Sequence, residues 1–383
     1  MRKKKIVILG PAYPYRGGNA LFVSYVYDIL KDNFDVKVIN YTLLYPSILF
    51  PGTTQQDKSS LVLKQVPNTR LINSINPFTW GKTAKAVKAE NPDLIIFDWW
   101  NPFFGPSHNA ISRKLKKDFK NKILFITENV ISHEGRFIDK FLTKLGLKHP
   151  DKFLVLSKTV EDSIKEYSKG RKVYKSALPI YDSYNITPDK DLKDIRKSLG
   201  FSDTDRIILF FGYVRKYKGL NILIDAMPAL LKYNKDIRLL IVGEFYDSPD
   251  KYYEQIDKLG LKDKIKVVQQ FVANEEVWKY YSISELVVLP YIEATQSGVL
   301  NIAYGFRKPV VVTDVGGLAE DVVVGKTGYV VKSNHIQSLV EGIKKYIDNA
   351  DKVDFTKNVE EKLKDNEFNK LPQLIEKIIN ESN

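Results

Sequence analysis

Short apolar runs such as Ile6-Val7-Ile8-Leu9 alternate along the chain with longer stretches in which apolar residues return every three or four positions. The short runs lack polar alternation, as strands covered on both faces do, and the longer stretches have the period of helices with one buried side. Strands separated by helices form parallel sheets with helical crossovers. In the first half the pattern predicts strands at residues 5–9, 35–40, 93–98, 122–127 and 152–156. After Leu178-Pro179 and a polar stretch to Pro188 the series restarts with a helix and then the apolar Ile207-Ile208-Leu209-Phe210-Phe211. Further strands are predicted at 237–242, 264–270, 285–289 and 309–313. The fold class is therefore α/β, with two Rossmann-like, doubly wound parallel-sheet domains facing across one cleft. Residues 1–182 form the first domain, 183–355 the second, and 356–383 a helical, charged tail.

Composition bounds the chemistry. A chain of 383 residues suits two cores, and 44% hydrophobic residues supply them. Cysteine is absent, which excludes a disulfide scaffold and thiolate chemistry and fits a reducing, cytoplasmic compartment. No apolar stretch is long enough for a signal peptide or a transmembrane helix, so the expectation is a soluble or peripheral protein. The net charge of +13 asks for an acidic partner. Arg113, Lys114, Lys116, Lys117, Lys120 and Lys122 crowd one predicted helix end, and Lys140, Lys144 and Lys148 recur nearby. They read as a solvated helix face or as a contact with an anionic membrane at its inner face. No zinc-finger spacing or RNA-recognition signature accompanies them, so nucleic acid is not expected.

In open parallel sheets, ligands sit beyond the carboxyl ends of the strands. The strand ending in Phe210-Phe211 runs into Gly212-Tyr213-Val214-Arg215-Lys216-Tyr217-Lys218-Gly219 and then a helix. Gly212 permits a tight turn, Arg215 can fork onto phosphate oxygens, Lys218 adds a point charge, and Gly219 opens a helix whose N-terminus favours anions. The strand ending at Leu289 runs into Pro290-Tyr291-Ile292-Glu293-Ala294-Thr295-Gln296-Ser297-Gly298-Val299. Its small residues can expose N–H groups as a nest for a diphosphate; Thr295 and Ser297 can equally be helix caps. Both loops open on one sheet edge and can grip one diphosphate from two sides.

The string Phe210-Phe211-Gly212, Lys218-Gly219, Thr295-Gln296-Ser297-Gly298, Pro309-Val310-Val311 and Gly316-Gly317 resembles the donor domain of glycosyltransferase family 4, which has the GT-B fold. Gly17-Gly18 after the first strand matches the family's glycine-rich turn, so the resemblance spans nearly the whole chain. It implies a retaining hexosyltransferase that needs no metal or other cofactor and takes a nucleoside diphosphate sugar as donor. A saccharide or a lipid-linked saccharide would be the acceptor, in cell-surface polysaccharide synthesis. Arg215 and Lys218 would neutralise the diphosphate, Gln270-Phe271-Val272 would lie against the base, Gly243 would approach the nucleotide, and the last helices would cross back to the first domain. The family carries two glutamates around the second loop, and an ungapped match puts Ala294 and Ile302 at their positions. Either the neighbouring Glu293 serves after a small shift or no carboxylate is used there, and Asn301 is the nearest polar substitute for the second.

The first half supplies Thr127-Glu128-Asn129 and on to Ser132-His133-Glu134-Gly135-Arg136. The resemblance places a histidine where this chain has Glu128, so a sugar-hydroxyl contact would come from a carboxylate, with His133 next in line. Trp99 and Trp100 read either as stacking groups on the acceptor side or as core, pointing in opposite directions if the strand continues through them. The apolar segment from Tyr41 to Pro51 reads as a loop that covers the acceptor site or touches a membrane. Asp203-Thr204-Asp205 has a metal-site spacing but precedes its strand, which makes it a turn on the wrong edge. Gly10-Pro11-Ala12-Tyr13-Pro14 lacks the dinucleotide glycine spacing and disfavours a dehydrogenase. A non-catalytic nucleotide-sugar binder and a sugar-nucleotide epimerase of similar build are the rival readings.

Overall fold

The computed structural model describes residues 2–50, 54–131, 137–186, 191–246 and 248–382. By internal contacts the chain divides into two units: Met1–Asp57 with Lys64–Pro179 and Asn366–Asn383, and Lys58–Leu63 with Ile180–Asp365. The sequence reading put the changes at 183 and 356, whereas the units change at Pro179 and at Asp365, and the short Lys58–Leu63 segment had no sequence signal.

The first unit holds seven parallel strands: β1 (Lys5–Leu9), β2 (Asp35–Leu43), β3 (Asn68–Asn73), β4 (Leu94–Trp99), β5 (Ile123–Thr127), β6 (Lys152–Val155) and β7 (Val173–Lys175). Their order is β3-β2-β1-β4-β5-β6-β7. The β1, β4, β5 and β6 runs are almost wholly buried, as their continuous apolar sequence demands. Three crossover helices, Pro77–Glu90, Gly105–Lys116 and Phe137–Gly146, pack side by side on one face. The C-terminal helix Leu371–Asn380 packs on the helix Gly18–Leu30, and the Lys152 ammonium donates to the Ile378 carbonyl at 2.9 Å.

The second unit holds six parallel strands: β8 (Arg206–Phe211), β9 (Ile237–Gly243), β10 (Ile265–Gln269), β11 (Leu286–Leu289), β12 (Val310–Thr313) and β13 (Gly328–Val331), in the order β10-β9-β8-β11-β12-β13. Ser202 to Asp205 form the helix-to-strand turn at the amino end of β8, where Asp205 pairs with Arg238 at 3.0 Å. The Lys58–Leu63 segment is fastened to this unit through Glu275, whose carboxylate accepts from the Ser60 N–H at 3.0 Å, the Ser60 hydroxyl at 2.7 Å and the Leu61 N–H at 3.3 Å. Burial alone would raise the Glu275 carboxyl; the donors of Ser60, Leu61 and its own backbone outweigh it and bring it to about 2. Asn274 adds a bond from its side chain to the Leu61 carbonyl at 3.0 Å.

Candidate functional site

In the second sheet the strand order reverses between β8 and β11, so the loops after these two strands flank the switch point where open α/β sheets hold ligands. They are the two loops singled out by their chemistry. After β8, Gly212 at φ +103° starts the turn, and Gly219 at φ +66° leads into the helix Leu220–Tyr233. The loops lock together: the Ile292 N–H donates to the Tyr217 carbonyl at 2.7 Å, and a Cβ on Gly219 would stand 2.0 Å from the Pro290 carbonyl oxygen. Gly219 is thus required both for its left-handed backbone and for the close approach. Gly243, at the end of β9, is held to the same rule, since a Cβ there would meet the Gly212 carbonyl at 1.9 Å.

Lys218 is buried, its ammonium 5.1 Å from the centre of the Tyr291 ring and without a salt-bridge partner among the described residues. Burial lowers its pKa, the nearby Arg215 adding to the effect. The Arg215 guanidinium lies over the Tyr246 ring at 4.7 Å, and Tyr246 is held by its N–H to the Val214 carbonyl at 3.0 Å and by ring contact with Tyr213. A buried cation and a second, stacked one, neither in a salt bridge with another described residue, make a site for an anion.

On the opposite loop, Ser297 caps the helix Gly298–Gly305 by accepting from the Leu300 N–H at 3.4 Å. Thr295 is half-buried, and its carbonyl accepts the Gly317 N–H at 3.0 Å, where Gly316 adopts φ +52° against the Ala294 carbonyl. Gln296 Oε1 is buried without a hydrogen-bond partner, a cost normally repaid by a ligand donor. Val299 stands beside Gly212, and Gly298 sits close under the Tyr181 ring. Glu293 is exposed, and Asn301 is buried with its amide turned to the Ser297 carbonyl at 3.4 Å. Val272 follows β10 on the same edge, with its side chain in the core. Tyr246 and Tyr291 were not singled out from the sequence; an aromatic partner for a loop cation has no spacing signature.

The first sheet reverses between β1 and β4. Beyond β1, Gly17 at φ +106° and Gly18 start the helix Gly18–Leu30, exposed and with open space where a Cβ would be. At the end of β4, Asp98 is buried beside Glu128 with no other hydrogen-bond partner among the described residues, packed so close to Gly10 that a Cβ there would be 3.0 Å from its own. Burial, then the adjacent Glu128, pushes the Asp98 carboxyl well above the carboxylate range. Burial raises Glu128 to about 7, the Asn19 amide at 2.8 Å offsetting part of the rise. The pair keeps a proton near neutrality. Asp98, a lone acid closing an otherwise apolar strand, was visible in the sequence, although its pairing with Glu128 was not.

The tryptophans are core. Trp99 is fully buried against Gly146 and His108, and Trp100 donates to the Tyr45 hydroxyl at 3.0 Å. The strand ends at Trp99, so the condition for opposite directions is not met and Trp100 turns into the same cluster; of the two readings of this pair, burial favours core over an acceptor-side role for Trp99 and Trp100. His133 and Glu134 lie outside the described residues.

Two Rossmann-like parallel sheets of seven and six strands are the GT-B architecture, and the match of residues 191–366 to a glycosyl transferase family model, with relatives named as glycosyltransferases, makes the chain a glycosyltransferase. Residues 191–366 match the family model described as glycosyl transferases group 1. An uncharacterised glycosyltransferase of Methanocaldococcus jannaschii is 23% identical over 91% of this chain and 89% of that protein. The D-inositol 3-phosphate glycosyltransferase of Corynebacterium aurimucosum is 27% identical over 44% of this chain and 41% of that protein, so the chain spans less than half of that relative. In fold, HepE of Anabaena, solved in complex with UDP, superposes with a TM-score of 0.73 at 17% identity over 99% of this chain and 100% of that one. The sucrose-phosphate synthase of Thermosynechococcus elongatus superposes with a TM-score of 0.69 at 19% identity over 99% and 100%.

Proposed function

We propose that the chain moves a sugar from a nucleoside diphosphate sugar to a saccharide or lipid-linked saccharide acceptor, with retention and without a metal ion, as a family 4 enzyme of cell-surface polysaccharide synthesis working in the cytoplasm. The observation that carries this reading is Lys218, buried and without a salt bridge among the described residues, in one of two interlocked loops at the switch point of the second sheet. Departure of a nucleoside diphosphate builds negative charge on phosphate, which fixed cations and N–H donors must meet. Arg215 and Lys218 supply the cations, the backbone at Ser297, Gly298 and Val299 the N–H groups, and Gln296 Oε1 accepts from a donor hydroxyl or base N–H. HepE, with UDP and UDP-glucose in its structures, and the lipopolysaccharide core mannosyltransferase of Rhizobium meliloti support the donor and acceptor classes.

Lys218→Ala is expected to lower turnover by roughly a hundredfold, as loss of one preorganised donor does. Wild-type steady-state kinetics for that variant would refute the assignment. The exposed Glu293, with Ala294 and Ile302 beside it, favours one rival, a binder that grips the donor without chemistry. Donor hydrolysis or transfer to any acceptor removes that rival, and a product that stays nucleotide-linked would instead indicate an epimerase.

A further inference from the structure

The helix Phe137–Gly146 turns Thr143 and Gly146 inward, the Thr143 hydroxyl donating to the Val130 carbonyl at 3.1 Å and Gly146 lying under Trp99. Its outward face carries Ile138, 58% exposed, and Phe141, 62% exposed, with Lys140 and Lys144 also exposed. Phe78, 85% exposed, stands at the start of the helix Pro77–Glu90, and Ile48, 91% exposed, on the turn after β2. These four apolar side chains come from three separate segments. Each segment follows the carboxyl end of a strand of the first sheet, and the two helices belong to one crossover layer. Tyr45, at the base of the Ile48 turn, stacks on Phe103 at 5.3 Å, just ahead of the middle helix of that layer. All four therefore lie toward the carboxyl edge of the first sheet.

The cations nearest them are unspent. Lys140 and Lys144 have no ion pair among the described residues, and neither do Lys82 and Lys85 on the helix Pro77–Glu90, which carries no acid before Glu90; Glu90 bonds to Lys5 at 2.9 Å. The basic cluster at Arg113 to Lys117 differs. It closes a helix C-terminus at the opposite end of the layer, where Lys116 pairs with Asp151 at 3.5 Å and Asp118 with Lys88.

We propose that this end of the first unit docks on a membrane surface containing anionic lipid, with Ile48, Phe78, Ile138 and Phe141 entering the acyl boundary and Lys140 and Lys144 among the headgroup phosphates. Lysine is depleted from the centres of protein–protein interfaces, whereas helices that lie in a bilayer interface mix lysine with phenylalanine and aliphatic residues. The inference does not rest on sugar transfer.

The test is co-sedimentation of the full chain with vesicles of phosphatidylcholine alone or mixed with phosphatidylglycerol. Wild type is expected to favour the anionic vesicles by about tenfold or more, less so as salt rises. The double variant Ile138→Ser, Phe141→Ser is expected to bind about tenfold or more weakly, and Lys140→Glu, Lys144→Glu to lose the preference for anionic lipid. Both should keep the thermal shift given by nucleotide-sugars, since the donor loops belong to the other unit. Equal binding of wild type to both vesicles, or undiminished binding by the serine variant, overturns the proposal. So does light scattering that shows wild type dimeric and the serine variant monomeric with neither bound to vesicles, which would make the face a protein interface.

Discussion

Glu128 retains its proton in the folded chain at a pH where the unfolded chain has released it. Its pKa rises from the ordinary 4.5 to about 7. Between those values the unfolded state binds fewer protons, so this group's contribution to stability falls as pH rises through the window and is level above it. Glu128→Gln puts an amide of nearly the same shape in place of the carboxyl and removes this group's share of the fall. Urea unfolding should show wild type losing ground to the variant between about pH 5 and about pH 7.5; parallel profiles would mean that Glu128 is ionised throughout. Residues differed in how openly the sequence declared them. Lys218 was legible because a cation between two loop glycines has a recognisable purpose, whereas the fate of Trp99 and Trp100 turned on where β4 stops, which periodicity does not fix to one residue.

Among elements, the strands buried on both faces were legible almost to the residue, β1 and β8 among them, because continuous apolar runs admit few other readings. The three strands not foreseen, β3, β7 and β13, all lie at sheet edges. β3 has four polar residues in six and a single buried one, β7 is three residues long, and β13 begins with glycine. Pairing on one side only relaxes the demand for apolar residues that makes a strand visible. The helix Gly298–Gly305 settles part of what the second loop left open, since Ser297 does cap it. Ser297→Ala is expected to cost about 1 kcal/mol in chemical unfolding; an unchanged midpoint would mean that the hydroxyl serves a ligand alone.

At the scale of the molecule, the chain order and the folded units do not coincide. Phe368, Leu371, Ile375, Ile378 and Ile379 are buried in the first unit although they lie at the far end of the sequence. At about 1.5–3 kcal/mol each, their burial is of the order of a whole domain's stability, about 5–15 kcal/mol. Removal of Asn366–Asn383 is therefore expected to abolish the cooperative melting of the first unit. If that protein proves insoluble, Ile378→Ala, expected to cost about 2–5 kcal/mol, reports the same contact by calorimetry.

The clasp of Lys58–Leu63 on Glu275 bears on how such proteins can be recombined. A chimera that takes residues 180–365 from one parent and the remainder from another exchanges an incomplete module, because the second unit includes six residues encoded far upstream. Unless the incoming hexapeptide also carries a hydroxyl at position 60, Glu275 loses the one side-chain donor of the clasp. Exchange between lineages would then favour partners already matched at Ser60, and would keep two distant stretches of one gene changing in step.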